Sequence, residues 1–294
     1  MKSPNRSTSF SIVILAYIVA LAAATGAGYW AWLKAWHPIW IAALADGIAT
    51  VVVFIFSYLR KNSSLYDPYW SVIPMLIAAY FLYLGQEIPA DATRAVLAFT
   101  FVCLWGIRLT WNWARSWPGL QHQDWRYDSL EQQTGKAYWL VSFSGIHLFP
   151  TIIVFLGCLP LYPALAESSA PVGWLDLLAS LTCLIAVGFE FFADNQLLAF
   201  RRKPENKGKV CTDGLWRISR HPNYFGEALF WLGLFFFGLS ANPESWWMGI
   251  GWVSIAAMFQ FITIRMMEER QLATKPGYAE ATKGISQWIP WPRK

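Results

Sequence analysis

Residues 190–227 read EFFADNQLLAFRRKPENKGKVCTDGLWRISRHPNYFGE. An apolar stretch carrying Glu190 and Asp194 runs into a loop dense in Lys and Arg. That loop ends in Arg220-His221-Pro222-Asn223-Tyr224, where a second apolar stretch begins. Two hydrocarbon-length segments flanking a cationic loop describe two helices that leave a bilayer at the same surface. A membrane bundle does not require such a loop for stability, so its charge predicts a site for an anionic cofactor.

Composition agrees. Of the 294 residues, 56% are apolar and 17% aromatic, while 14% are charged, against about 25% in an ordinary soluble domain. Mean hydropathy is +0.34. These values exclude a soluble enzyme and predict an integral, multi-pass membrane protein in contact with membrane lipids. The net charge of +5 does not point to nucleic acid, because the basic residues are not spread over a soluble face. Cys103, Cys158, Cys183 and Cys211 show no paired or CxxC spacing, so neither a disulfide framework nor a metal site is expected.

A spanning helix needs about 20 mostly apolar residues. Runs near 10–33, 38–59, 70–86, 95–114, 138–160, 173–199, 224–241 and 246–267 meet or approach that length. The expected fold is all-α, a polytopic bundle of about eight helices, with 1–59 forming two N-terminal spans and 60–294 the functional domain. Charge supports that count. Of the 23 Lys and Arg, all except Lys34 and Arg94 fall in segments on one side of the eight-helix topology. The positive-inside rule makes that side cytoplasmic, with both termini inside.

Several residues on that side can carry chemistry. Glu190, Asp194 and Arg201 follow spacings of four and seven, which places them on one helical stripe. An acid in a spanning segment is costly and faces a cavity or a partner; the two readings are a cofactor contact and an ion pair to a neighbouring helix. Pro222 suits the first turn of a helix and biases His221 away from helical backbone. The helix start near Asn223, with free N–H groups, favours a phosphate or carboxylate. Arg217 and Arg220 add charge just upstream, and Arg220, Asn223 and Glu227 share one face. Headgroup anchoring is the alternative for the basic residues, and accounts well for Lys203 and Lys207. Tyr66-Asp67-Pro68-Tyr69 at the start of the third run offers an acid between two phenols, able to donate a proton or to cap a helix. His147, alone in an apolar run, is expected to be a hydrogen-bonded packing residue. Arg265, with Glu268 and Glu269 at spacings of three and four, is expected to form a local ion pair.

The segment from Glu190 to Trp231, with Pro276-Gly277-Tyr278 and Ile289-Pro290-Trp291, resembles the C-terminal domain of the steroid 5α-reductase family, especially its mostly bacterial branch of multi-spanning proteins. The likeness covers about residues 60–294. It implies a domain that binds NADPH and reduces an activated carbon–carbon double bond of a lipophilic substrate, here in a bacterial cell membrane. On that likeness Asp194 matches an acid at the cofactor, Arg201 a phosphate-binding arginine, and Lys209 the position of a second arginine. Asn223 and Glu227 match the Asn-x-x-Gly-Glu beside the nicotinamide, and Arg217, Arg220, His221 and Tyr224 complete the implied cofactor set. The family's substrate-polarising Gln-Glu pair has an imitation in Gln86-Glu87-Ile88-Pro89, but this string falls on the outer side and is set aside as chance. Its counterpart is expected near Asp67, with Tyr66 or Tyr69 beside it, and the family's Tyr position falls near Trp105, so a steroid substrate is not expected. The string Arg220-His221-Pro222-Asn223-Tyr224 followed by Glu268-Glu269 is also similar to membrane methyltransferases of the isoprenylcysteine and phospholipid type. That resemblance implies S-adenosylmethionine in place of NADPH.

Overall fold

The computed structural model describes residues 5–87, 92–167 and 170–293. Ile88 and Pro89 of the set-aside string lie outside these. Twelve α-helical segments follow in order: α1 (Arg6–Leu33), α2 (Pro38–Arg60), α3 (Tyr69–Leu84), α4 (Ala92–Ser116), α5 (Trp125–Thr134), α6 (Tyr138–Val141), α7 (Phe149–Cys158), α8 (Trp174–Arg202), α9 (Pro222–Ala241), α10 (Ile250–Met258), α11 (Ile264–Thr274) and α12 (Tyr278–Ala281). No strand occurs among the described residues. Hydrocarbon cannot satisfy an open backbone group, so only such internally bonded segments span it.

Among the described residues, seven helical stretches are long and apolar enough to cross a membrane: α1, α2, α4, Trp125–Glu167, α8, α9 and Pro243–Thr274. The expected count of eight differs by α3, which has 16 residues and a rise of about 24 Å, short of the ~30 Å hydrocarbon layer. Ser71 exchanges a 2.9 Å hydrogen bond with Thr110 near one end, and Gly85 lies against the Leu165 carbonyl at the other. Two stretches are composite. Wide π turns at Ser142–Leu148 and Phe259–Thr263 interrupt Trp125–Glu167 and Pro243–Thr274, and His147 sits in the first. His147 is buried, with Nδ1 3.0 Å from the Ser142 carbonyl and Nε2 3.0 Å from Ser57 Oγ, a hydrogen-bonded packing residue.

One end of the bundle gathers the basic segments. Arg6 at the start of α1 donates to the Ala114 carbonyl at the end of α4 (2.8 Å). Arg115 donates to Asn195 on α8 (2.8 Å). The backbone of Arg220 and Trp291 bonds to Ser286 and Ile218, so both described termini lie at this end. Large apolar side chains such as Leu15, Ile18, Trp111, Leu140, Leu184 and Phe192 are exposed on the bundle's outer surface, as lipid-facing residues must be. Inside, α8 and α9 pack through small residues. Ala179, Cys183 and Ala186 are fully buried, and a Cβ on Gly233 would collide with Cys183 Sγ. Close backbone approach of this kind substitutes for the missing hydrophobic drive between helices in lipid.

The opposite end is held by an Arg that the charge pattern left outside. Arg94 is buried; its Nε donates to Asp176 Oδ1 at 2.7 Å and its Nη2 to Oδ2 at 2.9 Å, while Nη1 reaches the Ala170 carbonyl. Ser240 on α9 also donates to Asp176 (2.7 Å), so one carboxylate ties α4, α8 and α9. Removing one partner of a buried pair costs about 3–5 kcal/mol. Asp176→Ala should therefore lower the thermal unfolding midpoint in detergent well below that of an exposed control such as Glu269→Ala. Equal midpoints would remove this pair from the fold's supports.

Candidate functional site

Pro222 begins α9 with His221 outside the helix (φ −138°, ψ 58°). The loop upstream is pinned to α8. Trp216 Nε1 donates to the Ala193 carbonyl (2.9 Å) and the Leu215 N–H to Gln196 (2.9 Å). The end of α8, the start of α9 and the end of α11 then enclose a cleft on the basic end. Its inner part is lined by Arg201, Arg220, His221, Asn223 and Tyr224, with Lys275 and Tyr278 opposite. Its outer part, about 540 Å³, shares Arg201, Cys211, Gln271 and Lys275 and adds Lys207, Lys209, Arg270 and Trp125. That volume falls in the usual range of ligand sites.

The cleft is strongly positive. Burial, together with Arg201 beside it, pulls the Lys275 ammonium below its ordinary value. Arg220 Nη1 pairs with Glu268 at 3.1 Å, yet its Nε is buried without a partner, as is Gln271 Oε1 on the same wall. A buried donor left open is costly, and an anion in the cleft would give the Arg220 Nε an acceptor. Glu268 also accepts from Tyr278 (3.2 Å) and lies 3.2 Å from His221 Nε2. The His221 ring stacks on Tyr224 (5.4 Å, 2° between planes), and Tyr224 on Phe259 (5.1 Å, 12°). Arg270 sits 4.0 Å from the Trp125 ring centroid, closing the outer rim by a cation–π contact.

Beneath the cleft lies a polar cluster that fixes its floor. Arg108 on α4 bridges Glu190 and Asp194, reaching Asp194 Oδ2 at 2.9 Å. Asn112 donates to the same oxygen (2.9 Å), and Asn223 donates to Asp194 Oδ1 (3.3 Å). Glu227 is buried; it accepts from Trp105 Nε1 (3.1 Å) and Trp231 Nε1 (3.0 Å). The ion-pair reading of the α8 acids is the one seen here. They pair with an arginine of a neighbouring helix, and through Asn223 that pair orients the cleft wall.

Not every expected residue takes part. Arg201, Lys209, Arg220, His221, Asn223 and Tyr224 line the cleft, Asp194 touches it through Asn223, and Glu227 lies deeper. Arg217 is exposed and lines neither part, because the short turn Gly214–Arg217 points it outward. Tyr66, Asp67 and Tyr69 are absent from the lining as well. Tyr66 and Tyr69 stack on each other in the core (4.9 Å). Asp67 is half-buried and accepts from Tyr127 (2.9 Å); burial pushes its carboxyl up to about 7, with Arg126 pulling the other way. Arg265 pairs with Glu269 (2.9 Å) on an exposed face, freeing Glu268 for the cleft. Arg108, Asn112, Gln271 and Lys275 were missed, since their roles depend on neighbours far away in the chain.

These features define a polytopic helical membrane protein with a cation-lined cleft at one end of the bundle. Residues 53–284 match the family described as Protein of unknown function (DUF1295), and the chain belongs to that family. An uncharacterized protein of the fission yeast Schizosaccharomyces pombe is similar, 26% identical over 277 residues, which cover 86% of this chain and 80% of the yeast protein. No solved structure matches.

Without Arg108 the carboxylates of Glu190 and Asp194 lose their shared cation, at a cost of about 3–5 kcal/mol. Arg108→Gln should lower the unfolding midpoint and weaken any ligand of the cleft. An unchanged midpoint with unchanged binding would show that the cluster does not support the floor.

Proposed function

We propose that this protein is a membrane oxidoreductase that uses NADPH to reduce a conjugated carbon–carbon double bond in a lipophilic substrate. The observation that carries this reading is the cleft itself, where Arg201, Lys207, Lys209, Arg220, Arg270 and Lys275 converge with one acid, Glu268, facing them. A dinucleotide carrying several phosphates matches that charge, and bidentate guanidinium geometry suits phosphate oxygens. S-adenosylmethionine carries a sulfonium and no phosphate, so only its single carboxylate would draw on that charge.

When bound, NADPH supplies the hydride. Arg201, Lys209 and Arg220 would hold phosphates, and Asn223, fixed by Asp194, would orient the ribose and nicotinamide end. Asp67, reinforced by the Tyr127 hydroxyl, would polarise the conjugated carbonyl as a neutral acid, donating where negative charge develops. Tyr66 and Tyr69 spend their hydroxyls in the core and are not needed for that step. By the positive-inside rule the cleft opens to the cytoplasm, in a bacterium at the cell membrane, and the substrate enters from the bilayer.

Methyl transfer from S-adenosylmethionine is the second reading, favoured by one observation: Glu268 meets Arg220 and His221 directly, closing the motif shared with membrane methyltransferases. Titration of the detergent-solubilised protein separates the two. NADPH should bind, with affinity falling as salt rises. Arg201→Ala and Arg220→Ala should each weaken it about tenfold or more, about 1.4 kcal/mol per factor of ten. Tight S-adenosylmethionine binding with none of NADPH would reverse the assignment.

Asp67 adds a pH signature. Its carboxyl, raised to about 7, is protonated and able to donate below that value, and is ionised above it. NADPH consumption with an enone substrate should therefore fall as pH rises through about 7. Asp67→Asn keeps a hydrogen-bond donor and should flatten the profile. A wild-type profile level across this window would remove Asp67 from the reaction.

A further inference from the structure

Five side chains on three helical stretches and one turn form an unbroken hydrogen-bonded chain through the core, well apart from the cleft lining. Tyr69 Oη donates to Asp46, with the carboxyl Oδ1 the nearer acceptor at 2.7 Å and the main-chain carbonyl at 2.9 Å. Thr50 Oγ1 donates to Tyr69 Oη at 3.1 Å. Thr50 and Thr151 hydroxyls are 2.9 Å apart, and those of Thr151 and Tyr66 are 2.8 Å apart. All five residues are at most 5% exposed.

The direction of the chain follows from counting hydrogens. Each hydroxyl has one to give. Tyr69 gives its own to Asp46 and Thr50 gives its own to Tyr69, so Thr151 must donate to Thr50 and Tyr66 to Thr151. Every hydroxyl hydrogen therefore points toward the Asp46 carboxyl. That carboxyl lies inside α2, and no Lys, Arg or His forms an ion pair with it among the described residues. The titratable groups around it are Tyr66, Tyr69 and Cys158. An ionisable residue in a spanning helix without a counter-ion marks a functional position. The other end of the chain, Tyr66, is followed in sequence by Asp67 and its partner Tyr127 at the basic end of the bundle.

We infer that Tyr66, Thr151, Thr50 and Tyr69 form a proton relay that loads the Asp46 carboxyl through the Tyr66 oxygen. A proton arriving at the Tyr66 oxygen displaces the Tyr66 hydrogen to Thr151. Each following hydroxyl hands on its own hydrogen, and Asp46 gains one proton while every hydroxyl is restored. No electrons move, and no other reactant is consumed. The relay does not depend on the reductase reading, because loading Asp46 needs neither cofactor nor substrate.

A pH jump from alkaline to acidic, followed by rapid-mixing infrared spectroscopy in detergent without NADPH or substrate, tests it. The carbonyl stretch of a protonated carboxylic acid should rise in the wild type, and the part lost in Asp46→Asn belongs to Asp46. Thr50→Val keeps the shape but removes a link; it should slow that rise about tenfold or more, as expected for a lost hydrogen bond. Thr151→Val should do the same, while Thr50→Ser, which keeps the hydroxyl, should load at the wild-type rate. Helical circular dichroism confirms that each variant is folded. A spectrum unchanged by Asp46→Asn, or valine variants that load as fast as the wild type, would overturn the relay. Because no cofactor is present, that result is separate from failure of the NADPH titration.

Discussion

A guanidinium about two turns from the end of a membrane helix has to find carboxylates, and much of the site's architecture follows from where Arg108 finds them. It reaches across from α4 to Glu190 and Asp194 on α8, which sets the rotation of α8 about its axis. The small-residue face of α8 then meets Gly226 and Gly233 of α9, where a Cβ would collide with Glu190 and Cys183. With α9 in place, Asn223 in its first turn lies within reach of Asp194. The cleft wall thus rests on a largely buried ion pair. In that environment electrostatic attraction is strong and an unmatched charge is severely penalised.

The two ends of the bundle use charge differently. At one end Arg94 and Asp176 are mutually satisfied and close the packing of α4, α8 and α9. At the other, cations outnumber acids, and Arg220 keeps an open donor. A pair that is complete is structural; a surplus that is held in place by aromatic stacking and a cation–π contact is ready for something negative. The contrast separates a fastening from a binding surface in one chain.

Much of this could be read in the sequence because membranes impose strong rules. The span lengths, the one-sided Lys and Arg, and Pro222 at a helix start each follow from a local constraint, and each appears in the fold. Where chain-local rules ended, so did legibility. Arg270 against Trp125 and Glu268 against His221 join residues far apart in sequence. Arg217 and Arg220 look equivalent in the string, yet a short turn sends the first outward. Hydroxyls of Thr50 and Thr151, unremarkable in apolar runs, acquire meaning only when α2 and α7 bring them together. The count of eight spans takes in the short run 70–86, which folds as the 16-residue α3.

That short helix has its own consequence. Tyr69, Ile73, Ile77 and Phe81 are buried on α3, whereas Leu76 and Tyr83 face outward, so a narrow strip of it meets lipid. Along that strip the protein is about 6 Å shorter than the hydrocarbon it borders, and acyl chains must compress to cover it. The bilayer is therefore pinched on one flank, which favours residence in thinner membranes and brings headgroups closer to the bundle's midplane at one place on its perimeter.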